Sequence, residues 1–80
     1  MESPKEIQFL KASDVMAKTK LPKTTIYERA ARGEFPTPIK MGARASFWPA
    51  HEVDRWCRAV IAGATKERLC ELVTELHEAR

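Results

Sequence analysis

Long hydrophobic runs, glycine and catalytic motifs are all scarce in this 80-residue chain. No apolar run approaches the roughly 20 residues that span a membrane, and the N-terminus lacks the hydrophobic centre of a signal peptide. We therefore expect a cytoplasmic protein that does not enter the membrane. The 3 glycines form no phosphate-binding loop, and no nucleophile elbow or paired catalytic residues can be recognised. We expect no enzymatic activity and no cofactor.

The cysteines are also few, and Cys57 and Cys70 do not have the spacing of metal ligands. Each lies in a predicted helix beside apolar residues, which is typical of free thiols in or near a core. A zinc site needs four ligands, and only His51 and His77 could complete one. The sequence therefore predicts no metal site.

The excess of positive charge lies entirely in the N-terminal half. Residues 1–44 contain nine Lys and Arg against five Asp and Glu, whereas residues 45–80 contain five against six. The chain as a whole has a net charge of +3. A polyanion is therefore expected to bind the N-terminal half.

Two short helices joined by a turn are predicted first. Ser13 is a candidate N-cap for a helix over residues 13–19. A second helix begins near Pro22 or Lys23, runs to Arg32 and ends at Gly33. The turn of about three residues fits a helix-turn-helix. The side chains expected to pack inward are Leu21, Ile26 and Ala30.

A short hairpin and two more helices complete the chain. Pro36 and Pro38 exclude a helix, and residues 39–48 predict two strands that turn at residues 42–44. Pro49 opens a third helix that ends at Gly63, with an apolar stripe of Val53, Trp56, Cys57, Val60 and Ile61. Thr65 then caps a last helix.

The resulting fold is mainly α with a small β-hairpin. We expect a flexible N-terminus over residues 1–8, a winged helix-turn-helix over residues 9–63 and an amphipathic C-terminal helix over residues 64–80. Trp48 and Trp56 are expected in the core, since so small a domain needs large apolar side chains. Phe47 alternates with Trp48 and should face the other side of its strand.

The second helix is the candidate DNA-reading element. Thr24, Thr25, Glu28 and Arg32 lie opposite the predicted buried face, and these residue types can pair with base edges in the major groove. Arg29 flanks them, and Lys23 and Tyr27 lie at the margin, where phosphate contacts are expected. An ordinary solvated helix would show many of the same residues.

The hairpin favours the DNA-binding interpretation. Arg44 lies at its tip and Lys40 on its first strand, where they can reach a phosphate or a minor groove. A basic turn alone is common on soluble proteins. A helix, turn, helix and basic hairpin in this order within 35 residues are much harder to obtain by accident.

These residues resemble the AlpA family of phage and prophage regulators. The resemblance covers residue 9 to about residue 61. It is most specific at residues 21–27 with 32–33, at residues 35–42 with Arg44, and at Trp48, Glu52, Val53 and Trp56. It implies a winged-helix fold of the MerR and excisionase type, with residues 23–32 as recognition helix and residues 42–44 as wing tip. Pro22 departs from the family pattern, which commonly has a serine cap there.

The resemblance also implies a function tied to an integrated mobile element. Such a protein binds double-stranded DNA at an attachment site or promoter. It acts as an excisionase-type directionality factor, as a transcriptional activator, or as both, with an integrase as a further partner. A protein-interaction adaptor or antitoxin-like inhibitor that uses the last helix is the alternative.

The last helix lies outside the resemblance and has its own apolar stripe, formed by Leu69, Leu72, Val73 and Leu76. We expect this stripe to mediate self-association of neighbouring copies along DNA. The alternative is that the stripe folds back on the same domain. A two-helix coiled coil is disfavoured because barely two heptads are present.

Overall fold

The computed structural model describes residues 7–80, and within them the chain forms four helices and three strands. Residues 1–6 of the predicted flexible N-terminus lie outside the described part. The elements in chain order are β1 (Phe9–Lys11), α1 (Ala12–Thr19), α2 (Lys23–Ala31), β2 (Ile39–Lys40), β3 (Ser46–Pro49), α3 (Ala50–Ile61) and α4 (Lys66–Glu78). The mainly α fold with a small hairpin is confirmed.

The helix-turn-helix has the predicted position, with one correction at its start. The backbone N–H of Lys11 donates to the Asp14 carboxylate at 3.1 Å, and α1 begins at Ala12, so Lys11 is the N-cap rather than Ser13. The turn contains Lys20 in the left-handed region at φ 62°. Helix α2 then begins directly after Pro22, whose fixed φ suits a helix start.

The sheet contains one strand more than the predicted hairpin. Strands β2 and β3 pair antiparallel, with Ile39 opposite Phe47, as the alternation indicated. Strand β1 pairs with the other edge of β3 and places Leu10 opposite Trp48. The strand order is therefore β1-β3-β2. Three residues are too few to show an alternating pattern, which is why the sequence did not reveal β1.

Helices α3 and α4 begin and end close to the predicted residues. Thr65 caps α4, since its hydroxyl oxygen accepts from the backbone N–H of Arg68 at 3.1 Å. The apolar stripe of α3 is shorter than predicted, because Val60 and Ile61 are 44% and 85% exposed. The last turn of α3 extends beyond the hydrophobic core, so its apolar side chains do not pack there.

The hydrophobic core joins all four helices and β3. Both tryptophans are buried, as predicted, and Phe35 is fully buried between the helices and the sheet. The inward packing of Ile26 and Ala30 is also confirmed. The buried cluster consists of Val15, Ile26, Ala30, Phe35, Trp48, Val53, Trp56 and Val73.

Helix α4 folds back on its own domain. Leu72, Val73 and Leu76 are buried there, and Leu69 packs against the core from its edge. These four side chains were expected to mediate self-association, with packing on the same domain as the alternative. In this structure they pack on the core of the same molecule, and self-association along DNA stays a prediction.

Among the described residues, the longest helices are too short and too polar to cross a lipid bilayer.

Candidate nucleic-acid interface

Helix α2 presents an exposed surface on the side opposite its buried residues. Ile26 and Ala30 lie four positions apart on one face and are buried. Tyr27, Glu28 and Ala31, one or two positions from them, point to other sides of the helix and are exposed. We call the exposed surface the outer face of α2, formed by Lys23, Thr24, Tyr27, Glu28 and Ala31.

The other predicted contacts on this helix lie at the margins of the outer face. Thr25 and Arg29 are half-buried, so they are less available than the outer face itself. Arg32 directly follows α2, and its side chain is 61% exposed. The Nε of Arg32 lies 3.4 Å from the Glu34 carboxylate, which Lys66 also approaches at 3.6 Å. The arginine of this pair is exposed to solvent, whereas the Glu34 side chain is only 13% exposed.

Two indole rings fix the segment that connects α2 to the hairpin. The Nε1–H of Trp48 donates to the carbonyl of Pro36 at 2.8 Å, and the Nε1–H of Trp56 donates to the carbonyl of Glu34 at 2.9 Å. Phe35 lies between these carbonyls and packs edge-on against Trp56 at 4.8 Å. Helix and hairpin are therefore held in one fixed relation by one buried and one partly buried hydrogen bond.

Trp48 also braces α2 directly. The Tyr27 ring packs edge-on against Trp48 with its centroid 5.6 Å away. Tyr27 remains 36% exposed, so one edge of the ring faces the core and the rest belongs to the outer face. This contact orients Tyr27 before any ligand binds.

The β2–β3 hairpin, which we call the wing, ends in an exposed basic tip. The backbone N–H of Met41 donates to the carbonyl of Ala45 at 2.9 Å and closes the turn, and Gly42 has φ 99°. Arg44 is exposed at this tip. Lys40 lies opposite Ser46, so it shares the sheet face of Trp48, the ring on which Tyr27 packs. The register therefore places Lys40 on the same side of the sheet as α2.

Phe47 lies on the opposite sheet face from Trp48, as predicted. Its ring packs edge-on against Phe9 at 6.4 Å, and Ile39 is its cross-strand partner. Phe47 is consequently half-buried rather than free on the surface.

Several cations near α2 and the wing have no ion pair among the described residues, although Lys11 on β1 and Arg55 and Arg58 on α3 also have none. Within residues 7–80, no ion pair involves Lys20, Lys23, Lys40 or Arg44. On α4 and directly after it, by contrast, every cation lies near a carboxylate: Lys66 near Glu34, Arg68 near Glu71 and Glu75, and Arg80 near Glu52. A polyanion is attracted to cations without internal partners, so the charge pattern favours the side of α2 and the wing.

A polar network at the base of the wing was not predicted. Glu52 is 1% exposed, and both of its carboxylate oxygens accept from Arg80, at 2.7 and 3.0 Å. Arg80 also donates to the carbonyl of Thr37 at 2.8 Å. The backbone N–H of Thr37 donates to Nε2 of His77 at 3.2 Å. Because these partners are 28 to 43 residues apart in sequence, no local pattern could indicate them.

Ala31 is a residue of the outer face of α2 that was not predicted from the sequence. Its side chain has no polar group, so it was not predicted as a contact. Its spacing of four residues from Tyr27 and three from Glu28 places it on the same helix face, which is the signal that could have identified it.

The order of these elements, with a braced second helix and a basic hairpin, defines a small winged helix-turn-helix domain. Residues 8–61 match the family model of the prophage CP4-57 regulatory protein AlpA, and the chain belongs to this family of phage and prophage regulators. It is also 38% identical over 56 residues to the uncharacterized protein ORF88 of Enterobacteria phage P4. That match covers 70% of this chain and 64% of the length of ORF88. No solved structure gives a significant match.

Proposed function

We propose that this protein binds specific sites on double-stranded DNA, with α2 in the major groove and the wing against the adjacent backbone or minor groove. Its sites are an attachment site or a promoter of an integrated mobile element. It regulates excision or transfer of that element as a recombination directionality factor, as a transcriptional activator, or as both. An integrase is its partner in the recombination role.

The observation that carries this proposal is the common placement of the outer face and the wing on one rigid support. Trp48 packs against Tyr27 of α2 and is itself part of β3 of the wing. Pre-organised elements lose little conformational entropy on binding. A helix that enters a groove and a hairpin that contacts the backbone both need this fixed relation.

The chemistry of the side chains divides the contacts into two types. Thr24 and Glu28 can pair with base edges, Glu with the amino group of cytosine and Thr with several bases. Lys23, Lys40 and Arg44 are cations without ion partners among the described residues, and they suit phosphate contacts. Contacts from the protein to base edges then supply specificity, and contacts to phosphates supply affinity and register.

The adaptor or antitoxin-like alternative would use α4. Leu72, Val73 and Leu76 of this helix are buried in the same molecule, so such a partner would have to bind the exposed polar side of α4.

The proposal is tested by selecting bound duplexes from a random DNA pool and measuring affinity for the selected site. Arg44→Ala should weaken binding and reduce the slope of log affinity against log salt by about 0.9, the value for one lost phosphate contact. Glu28→Ala should relax the preference at one base position by about 1–3 kcal/mol.

Arg68→Ala is the matched control, because Arg68 lies on α4 and already pairs with Glu71 and Glu75. It should bind like the parent at every salt concentration. If no duplex is bound at low salt, or if all three variants bind like the parent, DNA binding by this surface is wrong. Recombination of attachment sites with integrase, compared with transcription from the adjacent promoter, separates the two regulatory roles.

A further inference from the structure

The outer face of α2 contains a shallow apolar cavity of about 520 Å³ that opens to solvent. It is lined by Lys23, Thr24, Tyr27, Glu28 and Ala31. Its lining consists mostly of carbon atoms, although two of these five side chains end in charged groups. An apolar floor within a polar helix face is unexpected if the face only contacts phosphates.

The cavity exists because of two features. Ala31 has only one side-chain carbon, so it leaves space that a longer residue would fill. Tyr27 forms the neighbouring wall and is held by its edge-on contact with Trp48. The Ala31 and Tyr27 walls of the cavity are therefore set by the fold, whereas the Lys23 and Glu28 side chains form its outer border.

The charged residues of this surface indicate which kind of ligand the cavity can bind. Lys23 and Glu28 of the lining carry opposite charges, whereas Lys40 and Arg44 of the wing add two cations without ion partners among the described residues. A neutral apolar peptide would gain nothing from these cations, whereas DNA would. The major-groove edge of DNA displays one apolar group, the 5-methyl of thymine, beside its donors and acceptors.

We infer that this cavity reads the 5-methyl group of a thymine, with Ala31 and the Tyr27 ring as its contacts, so that Ala31 determines specificity. The inference rests on the proposed DNA binding and adds a chemical requirement to it. Thr24 and Glu28 border the same cavity and would pair with the neighbouring bases.

The test replaces each thymine of the selected site, one at a time, with deoxyuridine, which lacks only the methyl group. At one thymine position, affinity should fall about fourfold, the value of one buried methyl-sized group. Ala31→Ser puts a hydroxyl against the methyl and should bring the thymine-to-uracil affinity ratio at that position close to one. Because the ratio compares two DNAs with the same protein, a change in folding stability cancels.

Ala17→Ser is the matched control, since Ala17 is an exposed alanine on α1, outside the cavity. It should keep the parental ratio. Specific binding with no uracil effect at any position would overturn the inference, leave DNA binding intact and favour a protein segment as the occupant. A uracil effect that Ala31→Ser leaves unchanged would place the methyl contact elsewhere and also overturn it. Failure to bind any duplex would overturn both proposals.

Discussion

His77 shows how a single residue links the C-terminal helix to the wing. Its Nε2 accepts a hydrogen bond from the backbone N–H of Thr37, which lies two residues before β2 begins. This bond requires a neutral ring. Burial lowers the pKa of His77 below its ordinary value of 6.5, and the charge of Arg80 lowers it further, although Glu52 opposes this. The neutral form is thus the one that the fold favours.

We expect stability to decrease as the pH falls from about 8 to about 5. The unfolded chain takes up the His77 proton near pH 6.5, before the folded protein does, so protonation favours unfolding. The stabilisation is complete above that value and is lost as the pH falls towards the lower folded pKa. Thermal melts across this range measure it.

The comparison of two variants isolates His77 in this measurement. His77→Gln should flatten the pH dependence, whereas His51→Gln should retain it, because His51 is exposed. Equal pH dependence in the parent and in His77→Gln would contradict the assignment.

At the scale of elements, the segment between α2 and the wing depends on two indoles. Pro36 is buried, and its carbonyl has the Nε1–H of Trp48 as its hydrogen-bond donor. Loss of that donor leaves a buried carbonyl unpaired, which costs about 1–3 kcal/mol. Loss of the entire ring adds a cavity.

We therefore expect Trp48→Ala to reduce the free energy of unfolding by about 3–5 kcal/mol. Trp48→Phe, which retains a ring but no donor, should cost less than Trp48→Ala. Chemical denaturation measures both. Phe9→Leu serves as the control, because Phe9 is 44% exposed on the other sheet face and should have a small effect. A Trp48→Phe variant as stable as the parent would show that the bond to Pro36 contributes nothing.

Most elements could be predicted because their signals are local. Pro22, Gly33, Pro49 and Thr65 each mark a helix end through their own backbone or side-chain chemistry. Strand β1 gave no such signal, since its three residues are ordered by pairing with β3, almost 40 residues later. The prediction that Val60 and Ile61 belong to the buried stripe was wrong for a related reason. Periodicity indicates an apolar face but not where the neighbouring element ends.

In the candidate interface, too, features with a local signal could be predicted and features that depend on distant residues could not. Exposure of Thr24 and Glu28 followed from their position opposite Ile26 on one helix. The pairing of Glu52 with Arg80 joins residues 28 positions apart, so it depends on tertiary arrangement and could not be predicted from spacing. Which of these residues contact DNA is still a prediction.

At the scale of the whole molecule, α4 is part of the domain although the family match ends at residue 61. Val73 belongs to the central buried cluster, and Arg80 joins Glu52 at the start of α3 to Thr37 before the wing. A buried charged group that loses its partner is strongly destabilising, by about 3–5 kcal/mol. The C-terminal segment therefore supports both the core and the base of the wing.

A protein truncated after Gly63 should consequently fail to fold as a stable monomer. It loses the buried side chains of Leu72, Val73 and Leu76, each contributing about 1.5–3 kcal/mol, whereas small domains are stable by only about 5–15 kcal/mol. Circular dichroism and amide NMR dispersion of the truncated and full chains measure this. The control is Ile61→Ser in the full chain, which alters an 85% exposed side chain beside the truncation point and should melt like the parent. If the truncated protein melts cooperatively near the parental temperature, residues 8–61 are sufficient for the fold, as the extent of the family match would suggest, and the packing of α4 contributes little. If it unfolds while Ile61→Ser does not, α4 is an integral part of this domain.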